Sequence, residues 1–270
     1  MKRKAFFFLL LATVIWGTSF PVQKLIIGDV SPMNYIAFRF AIAALLSYIF
    51  WGKGNWKYGS ILGIILSLGY LTQTVGLKYT TASKNGFFTS LYVVLVPVVS
   101  WVLEREKLHI NQAVGLAMAG IGSYLLSGGV RGVNFGDFLS LLCALSFAFH
   151  VVLITIFSKK VKEEDLLTPQ FTITSALNAV FGIGTGWRLS GGAIMSALYN
   201  AVLSTVFGIW AQVKYQKHIG SNTTAIIFVG EPIFAALFSW MILHETLSPI
   251  QLLGAMLMVG AIITSGVKSL

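Results

Sequence analysis

Apolar stretches of bilayer length, separated by short polar breaks, account for nearly the whole chain. A helix crossing a hydrocarbon core of ~30 Å needs about 20 mostly apolar residues. Ten such stretches can be drawn, over residues 5–27, 31–51, 58–77, 85–103, 110–127, 135–157, 166–187, 193–213, 223–243 and 248–267. The breaks between them are too short to hold a soluble domain. The first stretch follows Met-Lys-Arg-Lys, as a signal peptide would. It has no A-x-A cleavage site and is long enough to span, so it is read as the first helix.

One stretch breaks its own pattern. Residues 221–245 read SNTTAIIFVGEPIFAALFSWMILHE, with Glu231 and Pro232 at the centre. A carboxylate at membrane depth costs at least ~2.5 kcal/mol, so one retained there is expected to line a cavity or meet a partner. The proline removes a backbone donor and gives the helix a place to bend. Glu231 and Pro232 are therefore the candidate coupling and hinge pair. The competing reading is a structural carboxylic acid, protonated and bonded to a neighbouring helix.

The pattern also repeats. Moving the sequence by 139 residues places Gly69, Gln73, Lys78, Ser100, Trp101, Glu106, Leu108, Gln112 and Gly115 on Gly208, Gln212, Lys217, Ser239, Trp240, Glu245, Leu247, Gln251 and Gly254 without a gap. In this register Glu231 falls opposite Tyr92. Two copies of one unit are expected, over 1–132 and 133–270, with five spans each. An odd number of spans makes the second copy enter the membrane from the opposite side, and a substrate site is then expected near the midplane between the copies. The predicted fold class is an all-α membrane protein of ten transmembrane helices in two inverted five-helix repeats.

Composition agrees with the pattern. Of the 270 residues, 56% are hydrophobic and 10% charged, with a mean hydropathy of +0.80; a soluble domain carries about 25% charged residues. The net charge of +10 points to positive loops on the cytoplasmic side rather than to nucleic acid. With the N-terminus inside, thirteen Lys and Arg fall in inside loops and five outside (Lys24, Lys78, Lys84, Arg131 and Arg188), leaving Arg39 within a span. Both termini are expected in the cytoplasm and the protein in the cell membrane. The one cysteine, Cys143, permits neither an intramolecular disulfide nor a cysteine-based metal motif.

Several segments resemble the EamA family of the drug/metabolite transporter superfamily. These are ATVIWGTSFPVQK in the first span, Phe38-Arg39-Phe40 in the second, GLKYTTASKNGFFTSLYVVLVP at the third-to-fourth junction, Gly136-Asp137 opening the sixth, and EPIFAALFSWMILHETLSPIQLLG in the ninth. The resemblance covers the whole chain. It implies ten helices in two inverted halves, a central pocket, and movement of small metabolites, often the export of amino acids or related compounds. Pro97 and Pro232 occupy different positions in the two copies, which implies kinks at different depths.

The candidate cavity residues are Trp16, Tyr70, Gln73, Phe88, Tyr92, Phe147, His150, Trp210, Gln212 and Glu231. Aromatic walls with a few polar groups suit a small-molecule site, though ordinary packing would use the same residues. Gln73 and Gln212, one per copy, could bond a ligand or each other's helices. Arg39 could clasp a substrate carboxylate; a lock between helices is the reading preferred here. His150 has no second histidine at ligand spacing, so no metal site is expected. Asn85 and Asn222 are read as helix caps. Trp51, Trp56, Trp101, Trp187 and Trp240 are read as interfacial anchors, and Gly115, Gly120, Gly122, Gly254 and Gly260 as close packing within a protomer or homodimer. No Walker A sequence, HExxH or nucleophile elbow occurs, and no cofactor is implied.

The expected function is alternating-access transport of small metabolites, amino acids or related amphoteric compounds, in the export direction, by a protein that is not an enzyme. Its partners would be the substrate and the bilayer, with no nucleic acid, as a monomer or homodimer. An exporter of toxic organic cations is the alternative. A lipid-modifying membrane enzyme is the more distant one, with His244-Glu245 as its nearest approach to a catalytic cluster.

Overall fold

The computed structural model describes residues 1–266 apart from Ile27, Asp29, Thr81, Val130, Arg131, Trp187, Arg188 and Glu245. Among the described residues the chain is all helical. Its main helices are α1 (Lys2–Lys24), α2 (Pro32–Trp51), α3 (Trp56–Tyr79), α4 (Lys84–Glu104), α5 (Ile110–Leu126), α6 (Phe135–Ser158), α7 (Leu167–Phe181), α8 (Gly191–His218), α9 (Ser221–Ile242) and α10 (Pro249–Gly266). Each overlaps one predicted stretch. Seven, all but α5, α7 and α10, are long and apolar enough to cross a membrane.

The helix starts follow local chemistry. Pro32 opens α2, where its missing N–H costs nothing. Asn55 accepts from the Tyr58 backbone N–H at 3.3 Å. Asn134 and Asp137 close a reciprocal box at the head of α6, each side chain accepting a backbone N–H at 3.0 Å. Asn85 and Asn222 do not cap helices. Asn85 instead donates to the Gln73 carbonyl at 3.1 Å and to Ser140 Oγ at 2.9 Å, tying α4 to α3 and α6. Asn222 lies buried one residue inside α9, with no hydrogen bond to its side-chain atoms.

Helices before residue 132 pack mainly on helices after it. The principal pairs are α5 with α10, α3 with α6, α2 with α7, α1 with α9, α3 with α7, α4 with α6, α1 with α8, and α2 with α8. Two apolar cores result. One gathers α4, α5, α9 and α10 with parts of α1 and α6; the other gathers α2, α3, α7 and α8 with another part of α6. Trp16 and Phe147 pack against both.

The 139-residue spacing reappears in backbone geometry. The two described non-glycine residues with positive φ are Arg105 (58°) and His244 (55°), which end α4 and α9 and lie 139 residues apart. The next helices begin alike. Gln112 accepts from the His109 N–H at 2.9 Å, and its counterpart Gln251 accepts from the Ser248 N–H at 2.9 Å. Helices α4 and α9 also break at matching heights. The Leu91 N–H bonds to the Phe88 carbonyl three residues back at 3.3 Å, and the Val229 N–H to Ile226 at 3.2 Å. The expectation of kinks at different depths is therefore corrected: the breaks nearly coincide in the register although the prolines do not. In α4 the break precedes Pro97 by six residues. There the Ser90 hydroxyl donates to the Phe87 carbonyl at 2.8 Å, competing for helix acceptors.

Small residues set the closest approaches. A Cβ on Gly122 would lie 2.7 Å from the Gly254 carbonyl oxygen, and one on Gly254 would lie 2.5 Å from that of Gly122, so α5 and α10 meet backbone to backbone. Gly120 was expected to do the same, but its nearest neighbour would be a Val94 methyl at 4.0 Å.

The face bearing the N-terminus is tied between the two halves of the chain. Ser221 Oγ donates to Glu104 Oε2 at 2.5 Å, Lys159 Nζ reaches Glu104 Oε1 at 3.4 Å, and Gln112 Nε2 donates to Thr223 Oγ1 at 3.2 Å. Glu106 accepts from Ser100 Oγ at 2.8 Å and from the backbone at Ser221 and Asn222. Burial pushes its carboxyl above the usual range, and the neighbouring Glu104 adds to this. The folded state thus holds the Glu106 proton to higher pH than the unfolded chain does. This group's contribution is greatest in acid and declines as pH rises above the ordinary value of 4.5. The melting temperature of detergent-solubilised protein should show that decline, and Glu106→Gln should flatten it; an unchanged slope in the variant would exclude Glu106 as its source.

Candidate functional site

Between the two cores lies a cavity of about 70 Å³. Helix α1 supplies Trp16, Ser19, Phe20 and Gln23; α2 supplies Arg39; α3 supplies Tyr70 and Gln73; α4 supplies Tyr92; α6 supplies Phe147 and His150; α8 and α9 supply Gln212, Phe228 and Glu231. Eight of the ten residues expected at a cavity are thus brought together. Phe88 and Trp210 are not. Phe88 packs against Phe87, with ring centres 5.1 Å apart, and Trp210 against Phe8 and Tyr215, each at 6.0 Å.

A second cavity of about 380 Å³ lies beyond the first, towards the face opposite the N-terminus. Its walls come from α4 and α5 on one side (Phe87, Ser90, Ser123, Leu126) and from α9, α10 and the segment between them on the other (Pro232, Ala235, Ser239, Leu247, Gln251). Phe20, Tyr92 and Glu231 line both cavities. Glu231 and Tyr92, opposite each other in the 139-residue register, thus share the walls of both cavities.

Glu231 stands about ten residues into α9, ~15 Å along the helix and near the middle of a ~30 Å core. It is half-buried and has no hydrogen bond or ion pair among the described residues. Pro232 follows, just past the break at Val229. Among the described residues no other acidic side chain lines either cavity.

Arg39 is the residue whose direction the sequence left open, and it faces the inner cavity. It is 2% exposed. Its Nε donates to Thr205 Oγ1 at 2.8 Å and Nη2 reaches the Tyr70 hydroxyl at 3.4 Å. The guanidinium carbon lies 4.8 Å from the centre of the Tyr70 ring and 5.5 Å from that of Phe40. No carboxylate lies within 4.0 Å of it among the described residues. The expected lock between helices is present as the Thr205 bond, but it uses only part of the guanidinium.

The aromatic walls are held in turn. Residues 200–207 of α8 form a π-helical segment, a form frequent at functional sites. Trp16 Nε1 donates to the Ser204 carbonyl of this segment at 2.8 Å, and Ser19 Oγ meets Ser204 Oγ at 2.5 Å. The same segment supplies Thr205 to Arg39. Gln212 Nε2 donates to Gln216 Oε1 at 2.9 Å, and His150 Nε2 lies 3.2 Å from Gln170 Oε1. The π segment carries no sequence signature that would have marked it in advance.

Among the described residues no group of three or more His, Cys, Asp or Glu could hold a metal. His244 ends α9 in the left-handed conformation, and Glu245 lies outside the described residues, as does Trp187.

A family model described as "EamA-like transporter family" matches the chain twice, over residues 3–128 and 134–267. The chain belongs to this family. An EamA-like transporter of this kind is a multi-pass membrane protein, in keeping with its apolar helices. An uncharacterized transporter of Archaeoglobus fulgidus is 37% identical over 257 residues, covering 94% of this chain and 83% of that protein. A probable amino-acid metabolite efflux pump of Salmonella typhimurium is 24% identical over 297 residues, covering 97% of this chain and 94% of that protein. A solved crystal structure superposes with a TM-score of 0.84 at 18% identity, covering all of this chain and 98% of the other; it shares the fold.

Proposed function

We propose that the protein is a secondary transporter with ten membrane spans in two inverted five-helix halves. It exports small metabolites, amino acids or related amphoteric compounds, by alternating access through the cavity between the halves. One observation carries the reading: a half-buried carboxylate, Glu231, without a partner among the described residues, where a smaller inner cavity meets a larger outer cleft. The helix pairing supports the repeat. Exchanging each helix n with helix n+5 leaves α5–α10 and α2–α7 unchanged and turns α1–α9 into α6–α4, α3–α7 into α8–α2 and α3–α6 into α8–α1, all of them principal pairs. With both termini cytoplasmic, the 380 Å³ cleft faces outward and the Glu104–Ser221 and Gln112–Thr223 bonds close the inner side. Opening the inner side requires those bonds to break while the walls of the outer cleft come together.

Glu231 serves as the coupling group, with Val229–Pro232 as the hinge. The family's amino-acid efflux relatives support an amphoteric substrate. An exporter of organic cations fits less well, because Arg39 lines the same cavity and would repel a cationic cargo.

The orientation is tested by reporters fused to the termini. An N-terminal and a C-terminal fusion should both read as cytoplasmic. A C-terminal reporter found outside would remove the ten-span reading. The activity is tested with purified protein in liposomes, by counterflow of labelled amino acids. Counterflow above protein-free liposomes supports the reading; its absence across the protein amino acids, with correctly inserted protein, excludes amino-acid transport.

A further inference from the structure

Two ionisable side chains of opposite type, Arg39 and Glu231, line the inner cavity. Arg39 has no carboxylate within 4.0 Å and Glu231 no basic partner within that distance among the described residues. Tyr70 meets the Arg39 guanidinium and lines the same cavity as Glu231. Truly buried charges are costly unless paired, and the spare N–H groups of Arg39 form a planar fork suited to a carboxylate. The fork is oriented from three sides: Thr205 holds Nε, the Tyr70 hydroxyl meets Nη2, and the rings of Phe40 and Tyr70 lie against the guanidinium.

A cationic cargo would satisfy Glu231 and leave Arg39 unpaired. An anionic cargo would do the reverse. A cargo carrying both charges offers a partner to each residue. The sizes of the cavities then place it. The inner cavity holds about 70 Å³ and the outer cleft about 380 Å³. Arg39 lines only the inner one, whereas Glu231, Phe20 and Tyr92 line both.

We infer that Arg39 and Glu231 are the two poles of a site for the α-amino-carboxylate group of an amino acid. The carboxylate sits on Arg39, the ammonium at Glu231, and the side chain passes Phe20 and Tyr92 into the outer cleft. This rests on the transporter reading above and deepens it. Selectivity then falls on the part all amino acids share. The side chain, housed in the larger cleft among Ser90, Ser123 and Ser239, is read loosely.

The test uses the full-length protein in liposomes. Each protein amino acid is assayed by counterflow, and every one that is moved is assayed again as its carboxamide and as its decarboxylated amine. Wild type should move several amino acids of different side-chain size. It should move their amides and amines ~30-fold less well or worse, the loss expected when one partner of a buried charge pair is removed. Arg39→Gln should lose about the same factor on the acids and no longer distinguish acid from amide; Arg39→Lys, which keeps the charge without the fork, should fall between. Wild-type protein that moves amide and acid equally overturns the Arg39 pole while leaving transport intact, as does an Arg39→Gln protein that still discriminates. Wild type that moves no amino acid overturns the amino-acid transport reading, and this site with it. If Arg39→Gln does not fold, the wild-type comparison of acid with amide decides alone.

Discussion

Glu231→Gln should abolish transport driven by a pH gradient while leaving the protein folded and still able to exchange substrate, at a reduced rate. The amide keeps the shape of the side chain and adds donors, so the half-buried position, which has no partner to lose, tolerates it. What the amide lacks is the ability to gain and lose a proton. The carboxyl is the lone acidic group lining either cavity among the described residues, and no second acid among them can take over. The expected pattern is an unchanged size-exclusion profile, near wild-type counterflow of a substrate read without its ammonium, and a loss of ~100-fold or more in gradient-driven accumulation, the scale of removing a proton-transferring group. For a zwitterionic substrate the same change also weakens binding, so counterflow should fall too, by less than accumulation. A variant that still concentrates substrate at the wild-type rate would leave Glu231 a structural role only.

The second large effect is expected at Gly17. A Cβ there would lie 2.5 Å from Phe234 Cβ, 2.8 Å from the Ala235 nitrogen and 2.9 Å from the Phe234 carbonyl carbon. Two of these are backbone atoms of α9 and cannot rotate away. Helix α1 would have to separate from α9 just beyond Pro232, carrying with it Trp16, Ser19 and Phe20. Gly17→Ala should therefore cost ~1–3 kcal/mol, the usual range for overpacking, and reduce transport more than the stability loss explains, because three cavity residues move together. Gly120→Ala is the matched control. Its new methyl meets nothing closer than 4.0 Å, so melting temperature and transport should stay at wild type. Equal effects at both positions would show that helix propensity, not the α1–α9 contact, governs the result.

These two predictions mark what was legible in the sequence. Glu231 could be found from the sequence alone because a carboxylate amid some twenty apolar residues violates the polarity of its surroundings. The 139-residue spacing was drawn partly from Gln112 and Gln251, which stand at helix starts, and each accepts from the backbone N–H three residues before it. Aromatic residues were a poorer guide. Trp16 and Phe147 point into the cavity while Trp210 and Phe88 pack elsewhere, and nothing in their spacing separates the cases, since each lies on a helix apolar on several faces. Direction was the missing quantity for Arg39 as well. Its aim depends on Thr205 and Tyr70, which are distant in sequence and converge only when α2, α3 and α8 pack. Gly17 looked like part of a motif; that it is a close helix crossing appears only when α9 is placed against it. The kink in α4 escaped because proline was taken as its cause, whereas the break lies beside Ser90.

The central claim is that one cavity between the two halves is open to each side of the membrane in turn. Ser19→Cys, made in a Cys143→Ala background, tests it most directly. Ser19 lines the inner cavity, and thiol for hydroxyl is a small change. Sealed vesicles of known orientation are treated with a membrane-impermeant thiol reagent from one side or the other, with and without a transported amino acid. The account predicts labelling from both sides, and slower labelling from both when the amino acid is present. Labelling from the outer side alone, unaffected by substrate, would contradict it.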